Sequence, residues 1–508
     1  MTSPDTSPPG KPLDDRFHDY LVDQVHPPAW RNPKPAGKYN LVVIGAGPGG
    51  VIAAHEAAGL GAKVALIERD LIGGDRLNVG CVPSKALIRT ARLYAGMRDA
   101  RSFGGQVPGD IGIGFAAVME RMRRVQAHLS RADSARRLSE AGVDVYFGEA
   151  RFTGPCSVEV AGQTLRFKKA LIATGARPLT PPIPGLAEAG YLTNENVFNL
   201  TVCPRRLLVI GGGPLGCELA QAFSRFGSQV IIAQDDPMFL PKEERDAAQI
   251  LSDSLAHDGI EIHLNTTVVA VRKDGAQKIV DLESAGGTFS VSVDEILAGI
   301  GRAPNVEGMN LEAAGIRYDT KAGIQVDDFL RTSNRRVYAA GDVCLDLKFT
   351  HAAEASARVA VRNALFLGRK RLSDLVIPWC TYTDPEIAHV GLYVREAREK
   401  AIPVKTFTIL MHDVDRAVTD GEEEGFVKIH VRDGTDRILG ATVVASHAGE
   451  MINGLSLAIT EGIGLRALAR VIHTYPTQAE AIKMAADAYT RTRLTPARKS
   501  LARRWLSW

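Results

Sequence analysis

The sequence has no Cys-x-x-Cys pair. Its six cysteines, at 81, 156, 203, 217, 344 and 380, lie far apart. This removes both the zinc spacing and the disulfide framework of small secreted domains, and no metal site is expected. A reducing cytoplasm is the simplest compartment. Long apolar runs are missing too, so no segment is expected to span a bilayer. Met1 to Pro12 is polar and proline-rich, without the basic-then-apolar order of a secretory signal. An excess of one charge is also lacking. Lys and Arg number 61 against 58 Asp and Glu, a formal net charge of +3, so bulk charge points to no nucleic-acid partner.

What the chain does have is glycine, and length for about three or four domains. The glycines cluster in two copies of one pattern. Leu41-Val-Val-Ile44 has the unbroken apolar run of a buried parallel strand. Gly45-Ala-Gly47-Pro-Gly-Gly50 follows, then a helix over 51–60, then a strand from Val64 to Ile67 ending at Glu68. Such a unit binds a dinucleotide. The glycines let the backbone approach a pyrophosphate, the helix N-terminus faces its charge, and the acidic residue can hold a ribose hydroxyl. The pattern recurs as Leu207 to Ile210, Gly211-Gly-Gly213-Pro-Leu-Gly216, a helix over 217–226 and a strand from Val230 to Ala233. Two units predict two Rossmann-like domains and two dinucleotides. The second unit ends in Gln234, followed by Asp235 and Asp236. No carboxylate awaits a ribose hydroxyl there, and no Arg or Lys awaits a 2′-phosphate. The aspartates would repel a phosphate, which tilts the reading slightly from NADP(H) toward NAD(H).

Between these units, residues 73–85 read Gly-Gly-Asp-Arg-Leu-Asn-Val-Gly-Cys-Val-Pro-Ser-Lys. Cys81 precedes an apolar helical segment, 86–91, and so sits near a helix N-terminus, where a thiolate is favoured. The stretch resembles the redox-active segment of the pyridine nucleotide-disulfide oxidoreductases. These flavoenzymes include dihydrolipoamide dehydrogenase, glutathione reductase and mercuric reductase. In them two cysteines, four residues between, cycle between disulfide and dithiol. Here the second is Cys81, and Arg76 stands at the first. Further motifs match in order: the Ala-Thr174-Gly175 turn, Gly301-Arg302-Ala-Pro-Asn305, Gly341-Asp342, Tyr382-Thr-Asp-Pro-Glu386 and Tyr475-Pro-Thr-Gln-Ala-Glu480. The first and last segments are nearest to the mercuric reductase-like proteins.

The resemblance covers roughly residues 38–490. It implies an α/β fold of two Rossmann-like domains, for FAD and NAD(P), and a C-terminal α+β dimerisation domain. The expected boundaries are 38–186 and 309–375 for FAD, 187–308 for NAD(P) and 376–490 for dimerisation. It places FAD contacts at Gly45, Gly47, Gly50, Glu68, Gly74, Thr174, Gly175, Asp342 and the helix starting near His351. Contacts to NAD(P) fall at Gly211, Gly213, Gly216 and Gln234, and further cofactor contacts at Gly301 and Arg302. It pairs Lys85 with Glu218 beside the flavin. It also puts Tyr475 where the family has its catalytic histidine, with Glu480 kept and His473 two residues early. The implied assembly is a homodimer.

The chemistry follows from what is missing. Disulfide interchange needs an attacking and a resolving sulfur, and a soft metal wants two thiolates. Cys81 offers one, which Arg76 beside it would help to ionise. The expectation is hydride transfer from NAD(P)H to FAD and onward to a small non-disulfide acceptor, as in a diaphorase, quinone reductase or transhydrogenase. Two alternatives stay open. Arg76 can be a single-base variant of an ordinary mercuric reductase or dihydrolipoamide dehydrogenase-type enzyme, or the protein can be a flavin-bound scaffold or redox sensor.

Three flanking features remain. Residues 1–37 read as an extension with a short helix over 17–25. Residues 115–141 read as one long, solvated amphipathic helix. Residues 491–508 carry six basic side chains and no acidic ones. There a helix starting at Thr495-Pro496 would place Leu494, Ala497, Leu501, Trp505 and Trp508 on one face. Such a helix suits a membrane interface, at the inner face of the cytoplasmic membrane, and equally suits packing on the dimer.

Overall fold

Val42, Val43 and Ile44 are buried in the strand Lys38–Ile44, as their apolar run demands. In the computed structural model, which describes residues 15–35, 37–107, 111–366 and 368–507, this strand lies between Val64–Glu68 and Gln163–Ile172, parallel to both. Val143–Phe147 adds in parallel beyond Val64–Glu68, and Val337–Ala339 beyond the end of Gln163–Ile172. The second glycine-rich unit repeats the arrangement. Arg206–Ile210 is flanked in parallel by Gln229–Ala233 and Glu295–Ala298. Each central strand feeds a helix, Pro48–Gly59 or Pro214–Arg225, through a turn whose proline sits in the helix's first turn, where its fixed φ is already helical.

The described residues fall into two units. The first runs to Asp235 and from His263 to Leu375; the second takes Asp236–Ile262 and the chain from Val376. In the first unit the arm 15–35 lies on the domain. Its helix Arg16–Val25 is capped by Asp15, which also pairs with Arg123 at 2.6 Å. Trp30 donates to the Val145 carbonyl, and Asn32 bonds Phe147 in both directions. Residues 1–14 of the expected extension lie outside the described residues.

Two expectations are corrected. The helix expected over 115–141 ends at Ser130, and a second begins at Ala135 because Ser134 caps it by accepting from the Arg137 N–H. Nor is it wholly solvated: Phe115, Val118, Met119 and Met122 bury one face. The strand Glu295–Ala298 stops short of the Gly301-Arg302 motif. Residues Arg302–Pro304 pair instead with Ala176–Pro178, antiparallel. Gly301 between them has φ +126°, which a side chain rarely adopts.

The second unit is an antiparallel five-stranded sheet in the order Trp379–Thr381, Glu386–Gly391, Ile438–Ala445, Phe426–Arg432, Val404–Leu410. Val427, Ile429 and Val443 from the sheet meet Ile452 and Leu455 from helix Ala448–Thr460 and Ala485 and Tyr489 from helix Glu480–Thr492 in one core. Among the described residues no helix is long and apolar enough to cross a membrane.

Candidate active site

The glycines of the first turn are required by contact. Gly45 has φ +95°, and a Cβ there would lie 2.5 Å from the Ala173 carbonyl oxygen; one on Gly50 would lie 1.8 Å from that of Gly45. A Cβ on Gly74 would come within 2.8 Å of the Gly47 Cα. Two bare backbones therefore face each other where a pyrophosphate would enter. The first-turn N–H groups of both Pro-started helices receive no side-chain cap, the arrangement that binds phosphate. The chemistry of these donors fits a dinucleotide at each turn.

The residue closing each unit turns back onto its own loop. Glu68 Oε2 accepts from the Ala46 N–H at 2.7 Å and Oε1 from the Asp70 N–H at 2.9 Å. Burial pushes this carboxyl above its usual range, against those same hydrogen bonds. Gln234 repeats the contact in the second unit, its Oε1 accepting from the Gly212 N–H at 2.6 Å. The amide oxygen thus accepts from its own turn, as the Glu68 carboxylate does in the first unit.

Helix Cys81–Asp99 carries two residues of the site. It packs against helix Pro214–Arg225, with Tyr94 edge-on to Phe226 and Arg98 donating to the Arg225 carbonyl. This packing brings Lys85 Nζ within 2.7 Å of Glu218 Oε2, whose side chain is only 5% exposed. The pair expected from two motifs 133 residues apart is therefore made.

Cys81 itself is exposed and begins its helix. Its Sγ lies 3.4 Å from Oγ1 of Thr350, the first residue of helix Thr350–Leu365. Two helix N-termini, each with partial positive charge, thus meet at one sulfur. Thr350 was not among the residues singled out from sequence. None of the six cysteines forms a disulfide.

Arg76 does something the sequence did not suggest. Its guanidinium is held by Asp133 rather than by Cys81. The Asp133 side chain is 10% exposed and that of Arg76 28%. Burial raises the Asp133 carboxyl, and Arg76 pulls it back, with Arg137 adding a smaller contribution. Arg76 Nε is buried and bonds to none of the described residues. Asp133 was missed because its only sequence signal is a carboxylate in an Arg-rich segment.

A second arginine organises the opposite side of the segment. Arg302 pairs with Asp75, donates to the Ala176 carbonyl at 2.6 Å and lies 3.6 Å from Asp342. Burial raises the Asp342 carboxyl, opposed by Arg302. Thr174 and Gly175 are locked to the same loop. Thr174 Oγ1 donates to the Asn305 carbonyl at 2.8 Å, and Asn305 N–H to the Gly175 carbonyl at 3.0 Å. His351 is exposed in the first turn of its helix and stacks on Phe349.

Tyr475 and Glu480 belong to the second unit. Tyr475 is 65% exposed, and its hydroxyl donates to Asp415 at 2.7 Å. That carboxylate raises the phenol pKa, so the Tyr475 hydroxyl is a weaker acid than a free phenol. Ile472 close by is 95% exposed, as an apolar residue awaiting a partner would be.

Two dinucleotide turns, a Lys–Glu pair with its carboxylate buried and a cysteine at paired helix ends define a flavin- and nicotinamide-type oxidoreductase. The profile described as pyridine nucleotide-disulphide oxidoreductase matches residues 39–358, and that of the family's dimerisation domain matches 377–486. The chain belongs to this family. It is 34% identical to a mercuric reductase of Staphylococcus aureus, over 89% of this chain and 82% of the relative. It is 36% identical to a dihydrolipoyl dehydrogenase of Thermus scotoductus, over 89% and 97%. Among solved structures, the HOCl-induced flavoprotein disulfide reductase RclA from Escherichia coli superimposes with a TM-score of 0.79 at 29% identity, covering 88% of this chain and 99% of that one. LpdA from Mycobacterium tuberculosis gives 0.79 at 29%, over 89% and 99%. The protein is accordingly an FAD-dependent NAD(P)H oxidoreductase, and its dimerisation domain supports a homodimer.

Proposed function

We propose that this enzyme passes electrons from NAD(P)H through FAD to an acceptor that is not a disulfide, a quinone-type compound or a second nicotinamide. The carrying observation is the Arg76–Asp133 pair. Where the family has its first redox cysteine, this chain has an arginine whose charge is met by a buried carboxylate 57 residues away. A chance Cys-to-Arg change would bring no such partner, and an unmatched buried Asp133 would be costly. The pairing therefore favours Arg76 as a native feature over Arg76 as a variant of a mercuric reductase or dihydrolipoamide dehydrogenase.

The chain's residues then divide as follows. FAD falls to 38–186 and 309–375 and NAD(P) to 187–308, with 376–490 forming the dimer. Gly45, Gly47, Gly50 and Gly74 admit the FAD pyrophosphate, Glu68 and Thr174-Gly175 shape its pocket, and Asp342 and the helix at His351 hold its flavin end. Bound there, FAD supplies two-electron acceptance from a nicotinamide and release to an acceptor. Lys85, held by Glu218, presents a cation where the hydride arrives. Cys81 stays a single thiol and lacks the second sulfur that interchange needs. Gly211, Gly213 and Gly216 frame the nicotinamide dinucleotide, while Arg302 after Gly301, paired with Asp75 and 3.6 Å from Asp342, serves the FAD side. Gln234 and the two aspartates after it favour NADH. Tyr475 and Glu480 border the partner subunit's site, where a phenol tied to Asp415 replaces the family's acid–base histidine.

Anaerobic titration with NADH and NADPH, followed by a screen of quinones, dyes and disulfides, tests this. Turnover with quinones well above the oxygen background, and none with lipoamide or glutathione disulfide, is expected. Turnover with a disulfide would overturn the reading, and no turnover with any acceptor would leave a flavin scaffold instead.

A further inference from the structure

We propose that the helix Pro496–Leu506, with the basic segment leading into it, is a docking surface for an anionic lipid bilayer. The helix is set locally. Thr495 caps it by accepting from the Arg498 N–H, and Pro496 opens it. No residue in it is buried. Leu501, Trp505 and Leu506 are 70%, 83% and 82% exposed, and Leu494 before it is 55% exposed. An isolated helix of this length is marginal in water, so an apolar partner is what it lacks.

The layout of the side chains says what kind of partner. At helical spacing Ala497, Leu501 and Trp505 make one apolar stripe, with Leu494 exposed just before the helix. Arg498 and Arg504 border the stripe on either side, and Lys499 and Arg503 lie opposite. Bordering arginines can bury their stems along the stripe and keep their charge at a headgroup layer. Arg491 and Arg493 precede them, and residues 491–508 contain no Asp or Glu. At the root of the helix Lys405, Arg493 and Arg498 line a pocket of about 320 Å³ against the single acid Asp433. A second copy of this chain, docking by the same face, would set these cations against their own likes. An anionic bilayer meets both the stripe and the charge. Stable attachment takes two signals, and this surface carries an apolar and an electrostatic one. The proposal holds whichever acceptor the flavin serves.

The test uses the full-length, FAD-loaded protein floated with vesicles of phosphatidylcholine, with and without one-third phosphatidylglycerol. Flavin absorbance in the floated fraction is the readout. Binding is expected only to the anionic vesicles, abolished by high salt, and weakened roughly fivefold for each Arg→Gln or Lys→Gln change at 498, 499, 503 and 504. Leu501→Glu with Trp505→Glu should abolish flotation, while NADH–dye activity and sedimentation as a dimer stay unchanged. Equal binding to both vesicle types, or flotation surviving the double substitution, would overturn the proposal. So would dissociation of the dimer by that double substitution, which would assign the stripe to a second copy.

Discussion

Removing Arg76 alone should cost more than any neighbouring surface change, and most of that cost should vanish when Asp133 goes with it. Breaking a buried ion pair by deleting one partner costs roughly 3–5 kcal/mol, because the other charge is left uncompensated. Asp133 is 10% exposed, but Arg76 keeps 28% of its side chain in solvent. Arg137 also contributes some favourable field. The low end, about 3 kcal/mol, is therefore the estimate for Arg76→Leu. Replacing both charges by apolar or neutral groups of similar shape is often neutral, so Arg76→Leu with Asp133→Asn should recover about 2 kcal/mol of that loss. The assay is a double-mutant cycle on urea unfolding of the first unit's flavin signal. The pH dependence has a definite sign. Burial already raises the Asp133 carboxyl above its unfolded value, and loss of Arg76 raises it further. The folded state then holds the proton more tightly, so the Arg76→Leu protein should regain stability as pH falls through that raised pKa and lose it as pH rises. Single costs that simply add, or a deficit that does not ease in acid, would refute the pairing as the reason Arg76 is tolerated.

Three further outcomes are expected. Lys85→Met and Glu218→Gln should each slow anaerobic flavin reduction by NADH roughly a hundredfold, and the double variant should be no slower than the worse single one; stopped-flow absorbance decides this, and additive losses would contradict a working pair. Wild-type kcat/KM should favour NADH over NADPH, and replacing Asp235 with Ser and Gln234 with Arg should reverse that order in steady-state assays. Ile472→Arg should give monomers by light scattering, since its exposed side chain stands in the segment assigned to the interface; an unchanged dimer would place the interface elsewhere.

The nucleotide turns were legible because their constraint is local. A glycine whose Cβ would strike the next strand's carbonyl, as at Gly45 and Gly211, leaves its mark at fixed sequence offsets. Helix Arg16–Val25 was also read closely, in a stretch that no proline interrupts. Lys85 and Glu218 were legible only by resemblance, because nothing in either local sequence says that two helices cross there. Asp133 and Thr350 were invisible. Each acts through a contact across more than 50 residues, with Arg76 and Cys81 respectively. The break at Ser134 was missed because an amphipathic pattern can continue through a turn, and only the cap shows that the helix has restarted.

The central claim is that this flavoenzyme has no redox disulfide, and counting electrons tests it most directly. In an anaerobic dithionite titration, a subunit with the family's cysteine pair takes up electrons into sulfur and into flavin, four in all as the resemblance implies. This chain, with Cys81 facing no second sulfur at position 76, should take up two. The flavin should bleach from the first addition, without a lag. Arg76→Cys combined with Asp133→Asn should restore the lag, and with it the uptake of four. A wild-type titration that consumes four electrons would mean that another cysteine pairs with Cys81, and would contradict the account.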